Sequence, residues 1–280
     1  MDIKFGTAGV PFSAKDSSTE AGIIRVRELG MDAMEVEFVQ GVRMKEEKAE
    51  RTGKTAEREQ IALSCHAPYF INLNSSEAEK VTASKSRIIQ TARIGKILGA
   101  TGIIFHPAFY GGETSDRVLA KVVDELQAVR RELDQENNDV ILRPETTGKP
   151  SQFGDLAETI KIAQEIPGVL PCIDFSHLHA RSNGEYNSYD EFCRILEQTA
   201  EGLGDRWVAN AHFHISGIDY GPKGEKKHLV LLEADLRYKE LMQALLSFGI
   251  KGTVICESPN LEEDALRLQE AYKELIGAPA

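Results

Sequence analysis

Five of the seven histidines of this chain and a few of its acids recur at one kind of place. His66 ends the run IALSCHAP, His106 follows GIIF, and Glu145 closes VILRPET. Asp174 and His177 lie in PCIDFSH, His212 and His214 in ANAHFHIS, and Glu257 ends VICES. Each stands where a short apolar, β-branched run stops. Carboxylates are costly to bury without partners, so packing alone does not account for so many of them at strand ends. Imidazole and carboxylate without thiolate form a donor set suited to zinc, with manganese or iron as alternatives and magnesium disfavoured. The donors are too many for one tetrahedral ion. They suffice for two or three ions sharing a bridging carboxylate, an arrangement that clamps the entering and leaving oxygens of an in-line displacement and acidifies water.

Two spacings add detail. Asp174 and His177, three apart at a strand end, can face a common cavity across the turn. His212 and His214, two apart in a strand, point to the same side. His214 is open to three roles: ligand, substrate contact, or a residue orienting a ligand. His179 carries the same ambiguity, with orientation or loop packing favoured. His228 lies in DYGPKGEKKHL, a loop leaving the same rim, and reads as a ligand or as a solvated residue. Lys223, Lys226 and Lys227 in that loop read equally as phosphate contacts or as a solvated turn.

Positioning such a set requires elements that bring distant segments together. Eight runs read as strands: 3–6, 33–38, 61–66, 102–106, 140–145, 169–174, 208–214 and 253–257. Between them the apolar period shifts to about 3.6. Val118, Val122, Leu126, Val129 and Leu133 paint one helix face, and Ala265, Leu268, Tyr272 and Leu275 another. Ser76 with Glu79 resembles a capping box, and Gly99 stands where a left-handed helix stop belongs. Eight strand–helix units predict a single-domain (β/α)₈ barrel over residues 1–280, with the carboxyl ends of all strands on one rim. A doubly wound open sheet is the competitor, but Gly6-Thr7-Ala8-Gly9 lacks the GxGxxG spacing of its nucleotide fingerprint. Segment 43–59, dense in charge, reads as a solvated helix or long loop, or as a lid over the site.

Bulk properties narrow the function. The four cysteines, Cys65, Cys172, Cys193 and Cys256, form no CxxC pair and read as reduced packing residues of a cytoplasmic protein. The start MDIKFGTAG reads as neither signal peptide nor membrane anchor, so a soluble, intracellular chain is expected. A net charge of −11 argues against broad adhesion to nucleic acid. It does not exclude a nuclease whose ligand carboxylates are neutralised by bound cations.

In HAPYFINL, FHP, PET, CIDFSHLHA, HFHIS and ICE the sequence resembles the endonuclease IV family of apurinic/apyrimidinic endonucleases, within the xylose-isomerase-like TIM-barrel superfamily. The resemblance spans nearly the whole chain. It implies a zinc-dependent enzyme that cuts double-stranded DNA 5′ to abasic sites; a monomer is the default expectation for a duplex-binding barrel. Carried over, His66 and His106 would hold a first zinc bridged by Glu145 to a second, which Asp174, His212 and Glu257 would complete. His177 and His228 would hold a third. Glu145 and Glu257 are the implied catalytic carboxylates, Glu257 helping to position the water. Tyr69 and Asn72 match residues that the family places by the DNA, although simple loop packing accounts for Tyr69 equally well.

The sequence also departs from that family. Lys226 occupies the position of an Asp ligand to the third zinc, and an ammonium cannot ligate. Glu225, Asp219 or His214 would have to substitute, or the ion is absent. The opening GTAGVP and the segment EVEFVQG also differ from the usual DNA-gripping loops. The competing expectation is a sugar isomerase or epimerase of the same superfamily, with one or two ions and Glu145 and Glu257 as its proton-transferring pair. A third is a binding or regulatory protein that keeps its metals for structure.

Overall fold

The computed structural model describes residues 2–277. Its strands are β1 (Ile3–Ala8), β2 (Ala33–Glu37), β3 (Ala62–His66), β4 (Gly102–Phe105), β5 (Ala108–Phe109) and β6 (Ile141–Pro144). They continue with β7 (Gln152–Phe153), β8 (Cys172–Asp174), β9 (Ala211–Ile215), β10 (Gly217–Gly221), β11 (Gly224–Leu229) and β12 (Gly252–Cys256). Eight of these form one parallel sheet in the order β6-β4-β3-β2-β1-β12-β9-β8. Its two end strands meet only through isolated bridges, Leu142 to Val169 and Glu145 to Cys172. The sheet is therefore a nearly closed barrel with a thin seam between β6 and β8, and the expected (β/α)₈ architecture is what the chain adopts.

The helical ring follows from the apolar stripes. Helix Ser115–Gln135 buries Val118, Val122, Leu126, Val129 and Leu133, the predicted face. Helix Glu262–Gly277 buries Ala265, Leu268 and Tyr272. Helix Ala78–Leu98 stops at Gly99, whose φ of 72° is the left-handed conformation that glycine adopts freely. Its other end corrects the reading. The helix starts after Glu77, no side chain caps it, and Ser76 and Glu79 form no box. A capping box forms instead between Asp155 and Glu158 at the helix Leu156–Glu165. The charged segment is mostly helix, Glu46–Glu59, packed between helices Thr19–Glu28 and Ala78–Leu98 in the outer ring rather than lying over the site as a lid.

Two strands depart from their predicted bounds for local reasons. Pro171 has no amide hydrogen to give the ladder, so continuous pairing begins at Cys172 rather than 169. Before β9, residues Asp205–Val208 coil into a helical turn that buries Trp207, and the strand runs Ala211–Ile215. The segment read as a loop after that strand is an antiparallel hairpin, β10 on β11, with an irregularity between Asp219 and Tyr220.

The barrel interior carries polar groups as well as apolar ones. Side chains alternate along a strand, so Met34, Val36, Leu63 and Cys65 pack with the apolar core. Their neighbours Glu35 and Ser64 hydrogen-bond inside, 2.6 Å apart. Arg143 is also buried, its Nη2 donating to Asn210 Oδ1 at 2.8 Å.

Candidate metal centre

Four donor groups form among the described residues: His66 with His106 and Glu145; Glu145 with Asp174, His214 and Glu257; His177 with His228 and Glu257; and Cys172 with His212 and His214. Within each group every donor atom lies within 4.8 Å of the others. Glu145, which follows β6, sits at the centre. Its Oε2 is 3.2 Å from both His66 Nε2 and His106 Nε2, while its Oε1 is 3.2 Å from His177 Nδ1 and 3.3 Å from His214 Nδ1. Glu257 Oε1 reaches the same His214 nitrogen at 3.2 Å. Asp174 Oδ2 stands 3.3 Å from His177 Nδ1, and Asp174 Oδ1 accepts the His177 backbone amide at 2.7 Å. The pair three residues apart thus meets side chain to side chain at the strand end.

The two β9 histidines stand at different depths. His212 was the expected partner of Asp174 and Glu257, yet that group contains His214. Both face the barrel interior, but parallel register places Asp174 beside His214 and Cys172 beside His212, one layer deeper. At that depth His212 Nε2 bonds Glu35 Oε2 at 3.1 Å. His214 itself is 0% exposed. Asn72 is turned into its own loop, where its side-chain oxygen accepts from the amides of Asn74 and Phe109. Tyr69 is exposed at the mouth with its ring edge-on to His66, centroids 5.5 Å apart. His179 is a packing residue bonded to Glu185 O at 2.7 Å and Asp235 Oδ1 at 3.0 Å.

The hairpin brings His228 to the rim, where its Nδ1 is 3.2 Å from the Glu257 carbonyl oxygen. Lys226 turns outward to Asp219, 3.2 Å away. Glu225, the residue before it, approaches His177 Nε2 at 3.7 Å and His228 Nε2 at 4.0 Å. Glu35, Glu37 and Glu225 border the site without having been singled out as its members from the sequence, apart from the mention of Glu225 as a substitute. The signal for the first two was present. In AMEVE two acids alternate within an apolar strand, with the same two-residue spacing as His212 and His214.

Charge in this site is crowded. Burial opposes ionisation of Glu145, but His106 and His214, with hydrogen bonds from His106 and His177, hold its carboxyl well below the usual range. Burial likewise resists ionisation of Glu257, and His214 brings it down to about 2. Burial pushes Asp174 up to about 7 against the pull of His177. It pushes Glu37 up to about 8 despite His66. His66 rises to about 10: burial disfavours its charge, but the bond to Glu145 and the charge of Glu37 prevail. His212 falls to about 4, burial outweighing its bond to Glu35.

The donor set fits divalent cations. Three carboxylates and a histidine converge in one group, and Asp174 Oδ2 is buried with no hydrogen-bond partner. A buried oxygen left in that condition is costly unless a cation or donor meets it. Among the described residues, no helix is long and apolar enough to cross a membrane.

The chain matches the family described as Xylose isomerase-like TIM barrel over residues 23–276. An uncharacterised protein of Methanocaldococcus jannaschii is 45% identical over 271 residues, 97% of each chain. A protein named "Probable endonuclease 4" from Oceanobacillus iheyensis is 31% identical over 167 residues, covering 56% of this chain and only 52% of that protein. Two solved structures each superpose at a TM-score of 0.71: a D-tagatose 3-epimerase-like protein (17% identical, 98% of this chain and 97% of that one) and endonuclease IV from Thermus thermophilus (15% identical, 97% and 98%). At those identities the two structures share the fold, and their reactions differ. The barrel, its rim of donors and a match running through nearly every strand–helix unit agree: the chain belongs to the xylose isomerase-like TIM-barrel family.

Proposed function

We propose that this protein is a metal-dependent hydrolase of phosphate esters, working at a pair of ions bridged by Glu145. The observation that carries this is the division of that carboxylate, Oε2 toward His66 and His106 and Oε1 toward His177 and His214. His66, His106 and Glu145 would hold one ion; Glu145, Asp174, His214 and Glu257 would hold the other. Zinc suits these donors best, with manganese or iron able to replace it in part. Such ions supply Lewis acidity toward a phosphoryl oxygen and toward water. His177 and His228, with Glu257 or Glu225, are the donors available to a third.

The protein's own groups define the rest. Glu257 is ionised and 14% exposed, the carboxylate of its group best placed to accept a proton from water arriving at the mouth. Tyr69 walls the His66 side against solvent and offers a flat face to the substrate. Lys223 and Lys227, exposed on the hairpin, can meet phosphate oxygens. Duplex DNA with an abasic site is the first substrate to test, because both the motifs and the partial match to the Oceanobacillus protein point that way. The chain, reconstituted with zinc or manganese, should nick such a duplex 5′ to the lesion. Two tightly held ions with an intact strand would sink this reading. A cytoplasmic monomer fits it, all four cysteines being free thiols.

A sugar isomerase or epimerase is the second reading. It needs only the group Glu145, Asp174, His214 and Glu257, with the two glutamates passing a proton. The enclosure of this group favours it: Glu145, Asp174 and His214 are at most 1% exposed, which suits a small molecule more than a duplex. Deuterium entering a ketose incubated with the protein in heavy water would identify this chemistry.

A further inference from the structure

We propose that Glu35, a residue outside every one of the four donor groups, positions His214 so that Nδ1 is the nitrogen that meets the ion. This rests on the two-ion reading above. His214 has both ring nitrogens engaged. Nδ1 lies 3.3 Å from Glu145 Oε1 and 3.2 Å from Glu257 Oε1, on the mouth side. Nε2 faces Glu35 Oε1 at 2.9 Å, off the axis of a straight hydrogen bond.

Glu35 is itself fixed from two other directions. Its Oε2 accepts from Ser64 Oγ at 2.6 Å and from His212 Nε2 at 3.1 Å. It is fully buried on β2, and its neighbours come from β3 and β9. A carboxylate held this way has one place to be. An acceptor oxygen beside Nε2 of His214 favours hydrogen on that nitrogen, so Nδ1 is the nitrogen whose lone pair an ion can take. Partners of this kind set the tautomer and ring orientation of a ligating histidine, and their loss typically lowers metal affinity by about 10–100-fold. The lower layer, Glu35–Ser64–His212, therefore acts on the centre through one ring. It does not touch an ion or the substrate.

The test is ion affinity at each position, read by competition with a chromophoric chelator for zinc and by the visible absorption of bound cobalt. In Glu35→Ala, one of the two ions should bind about 10–100-fold more weakly and the cobalt spectrum should change, while the other ion stays within about threefold. Glu35→Gln keeps the size and an acceptor oxygen, so it should fall between Glu35→Ala and the unmutated chain. It takes the place of Glu35→Ala should that variant fail to fold, as judged by circular dichroism. Unchanged affinity at both positions in the folded variants overturns the inference, as does an equal loss at both, which marks a general structural role. An unmutated chain that binds no ion overturns the metal centre itself, and this inference with it.

Discussion

Glu145 serves histidines on both of its oxygens, so removing a single imidazole should affect one position more than the other. His106→Ala is expected to lose one ion and to slow the reaction by more than about tenfold. Metal analysis and steady-state rates check this, and activity within about threefold of the unmutated protein would refute the assignment. His66 adds a dependence on pH. Its ring is pushed up to about 10 and so carries a proton at neutral pH in the ion-free chain. An ion taking Nε2 must displace that proton, so affinity should rise with pH up to about 10. Calorimetry in two buffers of different ionisation enthalpy should show proton release, and identical heats in both would argue against it. At this scale the sequence was legible in kind and less so in depth. A two-residue period says that His212 and His214 share a side, but only register across β8 and β9 says which one reaches the mouth. Glu35 is missed because a sequence does not show that a buried acid is closing a histidine pair from three strands away.

Strands and helices were easier to read where one physical rule acted alone. The stripe from Val118 to Leu133 needed only a helical period, and Gly99 needed only freedom to take a positive φ. The hairpin was hidden because Gly221, Pro222 and Gly224 read as loop residues, and its lysines face water instead of marking a buried side. Pro171 and the Trp207 turn moved strand starts through a missing donor and a buried indole. Close approach of β1 and β2 gives a test of the barrel wall. A Cβ added at Gly6 would collide with the carbonyl of Ala33, which is backbone and cannot swing away. Gly6→Ala should therefore lower stability by about 1–3 kcal/mol or more, seen as an earlier urea midpoint. An unshifted midpoint would mean that the two strands have room between them for a methyl group.

For the molecule as a whole, the net charge of −11 limits how a polyanion is held. A duplex approaching this surface must be gripped at few phosphates, with the exposed hairpin lysines, Lys223 and Lys227, as the cations available beside the rim. The binding constant should then fall gently with salt, with a logarithmic slope of about two or three rather than the much steeper slope of proteins that make many such contacts. Fluorescence anisotropy between low and moderate salt measures it, and a steep slope would require a basic surface elsewhere.

The seam between β6 and β8 bears on the same centre. Few amides cross it: Leu170 donates to Leu142, Thr146 to Cys172, and Leu142 to Gly168. Glu145 and Asp174 stand on opposite banks of that gap. A cation bound to both would clasp the weakest edge of the cylinder. Hydrogen exchange at Leu170 and Thr146 should slow on adding zinc by more than exchange in β2 and β3, so that loading the catalyst also finishes closing its container.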